Sequence, residues 1–541
     1  MHCVVVSHFH WDREWYRTFE AFRGRLVDAI DRVLELLDAD PDYRFVLDGQ
    51  TVILEDYLAV RPHNRSTLQR QVRARRLSIG PWYVQPDSLL PSGEAHVRNL
   101  LRGRRVGAAF GPVSVMGYVP DSFGHPAQMP QLLAGFGIGT FIYWRGNGDE
   151  IDRVGSPYRW VAPDGSAVVA TLLCQGYMNA ASLPADVDEA VRRLQEVAMH
   201  LAEGDDGPVL LMNGIDHMLP DAHVGAVAAA LARATGWTVE RGLLEDAVTD
   251  DGRGRHEYSG ELTGARIANL LPGVWSTRMP LKLRNRRCEM LLQGWVEPWA
   301  AFALMLGLVD ERPALACAWG EVLKNQAHDS LCGCSIDAVV DAVTARFETA
   351  EGLGQETLTR LLERMAGRGV ERDVPWTVDQ DIAVFNPSPH PRTDIVRVPL
   401  DVHGALRVSV GVPDFHPLPL ALRDDTGFCV DGQPACVVAS ADPARTCWLP
   451  GAGAADVEFV AQDVPAFGWR RYALSTAAPV RDEIDEGRVI ETDDIAVRLA
   501  DDGTLNVRFG AQEYRGLLAI EDQGDRGDTY DFDAVTAGPG A

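Results

Sequence analysis

The chain has 541 residues, 46% hydrophobic and 24% charged, with 77 acidic against 51 basic side chains and a formal net charge of −26. That length is too great for one hydrophobic core, so two to four domains are expected, and the composition is that of an ordinary soluble globular protein. The acidic balance disfavours nucleic acid or an anionic membrane as main partner, and no apolar run reaches the roughly 18 to 20 residues of a membrane span. Nine cysteines, an odd number without CxxC pairs, argue against a disulfide framework; with no signal-like leader before the first apolar run, a cytoplasmic protein is expected.

The first apolar run, Cys3-Val4-Val5-Val6, reads as a buried strand leading into Ser7-His8-Phe9-His10-Trp11-Asp12-Arg13-Glu14-Trp15-Tyr16. Side chains alternate along a strand, so His10 and Asp12 fall on one side if the extension persists, well placed to hold a divalent metal ion. A structural histidine with a capping aspartate stays open on this stretch alone. Further strands are expected at 44–47, 77–79, 113–118, 140–143, 168–173 and 209–212, alternating with helices at 25–37, 95–107, 129–135, 184–201 and 222–234. An arginine-rich stretch at 61–76 reads as the solvated face of a helix. This alternation predicts a parallel sheet covered by helices, and seven strands favour a (β/α)7-type barrel.

Polar residues cluster directly after the strands: His10 and Asp12, Asp48-Gly49-Gln50, Trp82-Tyr83 with Asp87, Asp121, Trp144-Arg145, and Asn213 with Asp216-His217. Strand carboxyl ends open on one face of such folds, so these segments are expected to converge on one cleft. Asp121 lies in a strand-to-turn segment where a carboxylate can be a nucleophile, a metal ligand or a helix cap.

From 261 to about 370, apolar residues at three-to-four spacing predict a helical bundle, one of whose helices ends in Asn325-Gln326-Ala327-His328-Asp329-Ser330. Cys332-Gly333-Cys334 follows closely, read as small apolar filling, with a metal role weighed beside it. Beyond 378, short strands with Gly, Pro and Asp turns predict a sandwich, and the chain stops in Gly538-Pro-Gly-Ala541, a poor ending for a sheet. The expected fold is thus multidomain α/β, α and β, with a barrel at 1–260, a helical bundle at 261–375 and an incomplete β-sandwich at 376–541. His10, Asp12, Asp121 and His328 would make an N2O2 set suited to zinc, although spacing alone does not bring the four together.

Seven segments, in order, resemble glycoside hydrolase family 38, the α-mannosidases: HFHWDREWY, DGQTVILEDY, GPWYVQPDSLLPSGEAHVRNLL, GYVPDSFGHPAQMPQLLAGFGI, YWRG, NGIDH and KNQAHDSLCGCSID. VFNPSPHPR near 384 is similar to that family's entry into its β region. The resemblance implies a retaining hydrolase with one zinc ion at the barrel mouth. It makes His10, Asp12 and His328 ligands, Asp121 both ligand and nucleophile, Trp15 and Asp329 sugar contacts, and Arg145 a neighbour of the nucleophile. Family members usually continue for several hundred residues more, so a fragment or a shortened member is expected, and the missing part can help line the sugar pocket.

A retaining glycosidase needs a second carboxyl to protonate the leaving oxygen, and Asp216 is the candidate, with His217 or Asp221 as alternatives. Zinc there would chelate neighbouring sugar hydroxyls, which suits the cis diol of mannose, and cobalt could replace it. Trp82 and Tyr83 are less certain aromatic faces for the ring.

The expected partner is an oligosaccharide or small mannoside, with homo-oligomerisation left open. One rival keeps the fold and cleaves mannosylglycerate or its phosphorylated form, for which Arg278 or Arg284 would bind phosphate. Others are a zinc-dependent deacetylase or amidase in which Asp121 acts as base, and an inactive sugar-binding fragment.

Overall fold

The computed structural model describes residues 1–203, 207–248, 256–367, 381–400, 407–409, 412–414, 427–439, 455–477 and 487–535. The expected boundary at 375/376 and the closing residues 538–541 lie outside these. The chain divides into two units, one of Met1–Gln293, Arg312–Gln355 and Asp525–Asp533, the other of Gly294–Glu311, Glu356–Gly524 and Ala534–Ala541.

In the first unit Cys3 to Val6 are fully buried, so strand β1 (His2–Ser7) is covered on both faces, as a continuous apolar run requires. The strands that follow are β2 (Phe45–Val46), β3 (Leu77–Ser78), β4 (Met116–Val119), β5 (Thr140–Tyr143), β6 (Tyr158–Val161), β7 (Ala167–Leu172), β8 (Val209–Asn213), β9 (Thr238–Gly242) and β10 (Glu257–Tyr258). They form three ladders, β8-β1-β9, β2-β3 and β10-β6-β7-β5-β4. Single bridges His8↔Val46, Gln50↔Trp82 and His10↔Asp216 link segments beyond the strand ends into a nearly closed sheet.

Seven of these strands match the expected runs; β6, β9 and β10 do not. β6 runs antiparallel to β7, which breaks the all-parallel pattern. β9 reads Thr-Val-Glu-Arg-Gly and borders β1 at the ladder's edge, so it lacks the apolar signature of a central strand.

Helix formation follows amphipathic spacing. In the helix Phe19–Ala39, Phe22, Leu26, Ile30, Val33 and Leu37 are buried at intervals of three and four residues, which carries it six residues ahead of the expected start. The helix Gly93–Ala108 is capped by Ser92, whose hydroxyl accepts from the Ala95 amide at 3.3 Å. The arginine-rich stretch contains the helix Arg65–Arg73, which buries Leu68, Gln71 and Val72 and turns its arginines outward.

Helices Met279–Glu289 and Arg312–Asn325 and the first part of Asp337–Met365 complete the first unit, around Leu281, Trp319, Val322, Val343 and Phe347. The second unit contains strands β11 (Asp381–Asn386), β12 (Arg392–Leu400), β13 (Arg407–Ser409), β14 (Val412–Asp414), β15 (Gly427–Val430), β16 (Gln433–Ala439), β17 (Ala455–Val464) and β18 (Gly468–Ala477). Six of them make an antiparallel sheet, β11-β18-β15-β16-β17-β12, over a core of Phe428, Val457, Phe459, Tyr472 and Leu474. A four-stranded sheet follows from β19 (Val489–Glu491), β20 (Ile495–Leu499), β21 (Leu505–Phe509) and β22 (Gln512–Leu517). No described helix is long and apolar enough to cross a membrane.

Candidate active site

Parallel pairing of β1 with β8 sets Ser7 opposite Asn213, and the bridge His10↔Asp216 continues that register past both strands. Gly214 makes the approach feasible, since a Cβ there would lie 2.0 Å from the His8 carbonyl oxygen. The two polar segments beyond these strands are thereby held side by side.

His10, Asp12 and His328 meet at this strand end, at 5% exposure or less. His10 Nε2 lies 3.1 Å and His328 Nε2 3.3 Å from the same carboxylate oxygen, Asp12 Oδ1. All three atoms are buried without a hydrogen-bond partner, and one ligand atom from each residue lies within 4.8 Å of the others. Two imidazole nitrogens and a carboxylate oxygen, otherwise unsatisfied and facing one another, fit a divalent metal ion. Asp121 borders this group, with Oδ2 3.8 Å from His328 Nε2.

The outer nitrogens of both histidines are engaged. His10 Nδ1 lies 3.1 Å from Asp48, whose carboxylate also accepts from the Trp11 amide, Gln50 Nε2 and Gln85 Nε2 at 2.8 Å each. His328 Nδ1 faces the Gln85 carbonyl at 3.4 Å. Each ring thus keeps Nε2 for the centre, the arrangement that orients metal-binding histidines. Burial pushes His10 downward, but Asp48 and Asp12 outweigh it and hold the imidazole above its ordinary value. His328, opposed by burial and supported by Asp329 and Asp12, rises to about 9.

Asp121 Oδ1 accepts from Arg145 Nε and also pairs with its terminal nitrogen, both at 2.8 Å. Asp216 Oδ1 accepts from the Tyr177 hydroxyl at 2.7 Å. Burial raises the Asp216 carboxyl above its usual range, and the charges of Asp12 and Asp121 add to the rise against the opposing His10. Of the two alternatives to Asp216, His217 borders the centre and Asp221 pairs away from it. His217 Nε2 is 3.5 Å from Asp12 Oδ2, with its ring stacked 4.0 Å from Phe22, and Asp221 lies 2.6 Å from His223 Nδ1.

Asp329 is buried beside the centre, with Oδ2 3.9 Å from His328 Nε2. Burial raises its carboxyl strongly, as do Cys334 and Asp12. Trp15 Nε1 donates to the Tyr530 hydroxyl at 2.7 Å. Tyr530 belongs to the segment Asp525–Asp533, folded into the first unit, and packs with Phe123, Val274 and Cys332. Sequence reasoning did not find Tyr530; its only signal is an aromatic residue among aspartates, 515 positions from Trp15.

One expectation needs correction. Trp82 and Tyr83 are fully buried, Trp82 in the apolar core and Tyr83 with its hydroxyl on Glu55 at 2.7 Å, so neither offers a face to a ligand. Arg278 and Arg284, the arginines weighed for phosphate, pair with Asp337 and Glu348, both at 2.8 Å and partly exposed. Glu14, not singled out from sequence, ties the first loop to the helices: its buried carboxylate accepts from Ser330 Oγ at 2.7 Å and pairs with Arg346.

Residues 1–242 match the family model of the glycosyl hydrolases family 38 N-terminal domain, and residues 269–365 match the alpha mannosidase middle domain. A provisionally named mannosylglycerate hydrolase of Halalkalibacterium halodurans is 37% identical over 64% of this chain and 41% of its own length. Human alpha-mannosidase 2C1 is 25% identical over 73% of this chain and 39% of its own. The crystal structure of an alpha-mannosidase from Enterococcus faecalis V583 superposes with a TM-score of 0.82 at 26% identity, over 99% of this chain and 64% of that one. The chain therefore spans about two fifths of the length of the curated relatives it matches. Both models and these likenesses agree with the motifs around His10, Asp121 and His328, and the chain belongs to glycosyl hydrolase family 38.

Proposed function

We propose that the chain is a zinc-dependent retaining α-mannosidase that releases terminal α-mannose through a mannosyl-aspartate intermediate. The observation that carries this reading is the convergence of three unsatisfied metal-facing atoms with two carboxylates in different environments. We read the three ladders of the first unit as a (β/α)7-type barrel with the site at its mouth, followed by a helical bundle and a β-sandwich region.

In this reading Asp121 is the nucleophile, its carboxylate oriented by the two nitrogens of Arg145. Asp216 is the general acid: burial raises its carboxyl above the usual range, so it holds its proton to higher pH than an exposed aspartate, and the Tyr177 hydroxyl fixes one of its oxygens. After glycosyl transfer to Asp121, the ionised Asp216 takes a proton from the incoming water. His10, Asp12 and His328, with Asp121 beside them, would hold zinc, which supplies chelation of sugar hydroxyls and charge stabilisation when bound. Trp15 and Asp329 would contact the ring, with Tyr530 completing that wall.

The test is hydrolysis of an aryl α-mannoside by the zinc-loaded and chelator-treated protein, with the released anomer followed by NMR. Zinc-dependent release of α-mannose, abolished in Asp121→Asn, is expected; first release of the β-anomer would overturn the retaining assignment.

Mannosylglycerate as substrate is a second reading, favoured by the 37% identical relative that carries that name. It predicts a higher kcat/KM on mannosylglycerate than on the aryl mannoside in the same assay.

A further inference from the structure

The sequence Cys332-Gly333-Cys334 lies directly behind Asp329, and its two sulfurs are 3.2 Å apart. Gly333 has a φ of +79°, a left-handed turn that an L side chain rarely adopts, and it folds the two cysteines toward one another. The loop is pinned at both ends: Lys282 Nζ donates to the Cys332 carbonyl at 2.6 Å, and Ser335 Oγ donates to the Asp329 carbonyl at 2.7 Å. The Cys334 thiol lies 3.3 Å from Asp329 Oδ1 and is its donor.

Asp329, Cys332 and Cys334 also form a compact group of metal-binding atoms. Two thiolates on one zinc ion stand about 3.8 Å apart, from Zn–S bonds of about 2.3 Å at the tetrahedral angle. The observed separation is about 0.6 Å short of that spacing and about 1.1 Å longer than a disulfide bond, a sulfur-to-sulfur contact that rotation of the side chains can close.

We propose that Cys332 and Cys334 are a reversible oxidation site, closing to a disulfide with hydrogen peroxide and thereby weakening sugar binding at Asp329. The step balances as two thiols and one peroxide giving one disulfide and two waters. Cys334, the partly exposed sulfur of the pair, attacks the peroxide O–O bond to form a sulfenic acid and one water. Buried Cys332 then displaces the sulfenic oxygen, which leaves as the second water with the two thiol protons accounted for. Closing the bond draws Cys334 toward Cys332 and removes the S–H that Asp329 accepts. The hydrogen bond from its partner sulfur and burial both raise the Cys334 thiol, so little of it is thiolate near neutral pH and its attack on peroxide is slow.

The effect on activity rests on the reading of Asp329 as a sugar contact, whereas the oxidation itself does not. The experiment therefore has two readouts on the zinc-loaded chain treated with hydrogen peroxide. Mass spectrometry of the peptide spanning 332–334 is expected to show a loss of about two mass units, restored by dithiothreitol. Kinetics on the aryl mannoside are expected to show KM raised about tenfold with kcat nearly unchanged, the loss of one hydrogen bond to a carboxylate. Cys332→Ser keeps the KM of the reduced protein and loses both responses. Two alkylatable thiols remaining in that peptide after peroxide would overturn the oxidation site. A disulfide that forms while KM stays unchanged would overturn its link to Asp329, and a protein inactive on mannosides from the outset would instead count against the proposed function.

Discussion

His96 and His125, like His10 and His328, lie in the first unit at 3% exposure or less, yet the two pairs titrate in opposite directions. His96 Nε2 meets the Ser88 carbonyl at 3.2 Å, and His125 Nδ1 meets the Ser88 hydroxyl at 3.1 Å, against Phe141 and Tyr143. No carboxylate acts on either ring; burial lowers His96 to about 4 against the opposing Ser88 carbonyl, and lowers His125 to about 3 with the charge of His96 adding to it. At the other pair, burial is outweighed by Asp12 together with Asp48 or Asp329. Burial by itself therefore does not separate the two pairs; the neighbouring carboxylates do, and in the proposed function it is His10 and His328 that hold metal.

The comparison can be broken most sharply at the metal. His328→Ala is expected to reduce bound zinc from about one equivalent to background and turnover by about a thousandfold or more, measured by elemental analysis and hydrolysis rate. His125→Ala should leave zinc content unchanged; if it too lost the metal, the distinction between the pairs would fail.

Acid unfolding tests the other side. Above pH 6.5 His96 and His125 are neutral in folded and unfolded chains alike, and their burial costs nothing. Below it the unfolded chain takes up protons first, so stability falls as pH drops from 6.5 toward the folded values near 4 and 3, by roughly 3 to 5 kcal/mol for each residue. Chemical denaturation between pH 7 and 4 should show this slope, and His125→Phe should reduce it.

Two smaller effects sharpen the contrast. Asp48→Asn should weaken zinc binding about 10- to 100-fold in competition with a chelator while the fold persists, because the amide keeps the shape and loses the charge behind His10. Trp15→Phe, which removes the donor to Tyr530, should raise KM by about fivefold, the loss of about 1 kcal/mol from one neutral hydrogen bond.

Local signals made much of this legible. His10, Asp12, Asp121 and Asp216 stand out because a polar residue ending an apolar strand has few other reasons to be there, and alternation exposes the strands themselves. Strands β6 and β9 are hidden because an antiparallel insert and a polar edge strand leave no such run. Trp82 and Tyr83 mislead because a strand-end position says nothing of what packs over it; both turn inward. The partnership of His328 with Asp12 depends on helix packing, which no local period encodes: donor chemistry suggested the set, but spacing could not bring its members together.

The bond between Trp15 and Tyr530 also gives the site a birth order. At roughly 5 to 20 residues per second, a ribosome needs about 25 to 100 seconds to travel between the two. His328 precedes Tyr530 by about 200 positions, so for about the last 10 to 40 seconds of that interval the proposed metal set of His10, Asp12 and His328 exists as polypeptide while the wall around a sugar cannot yet close.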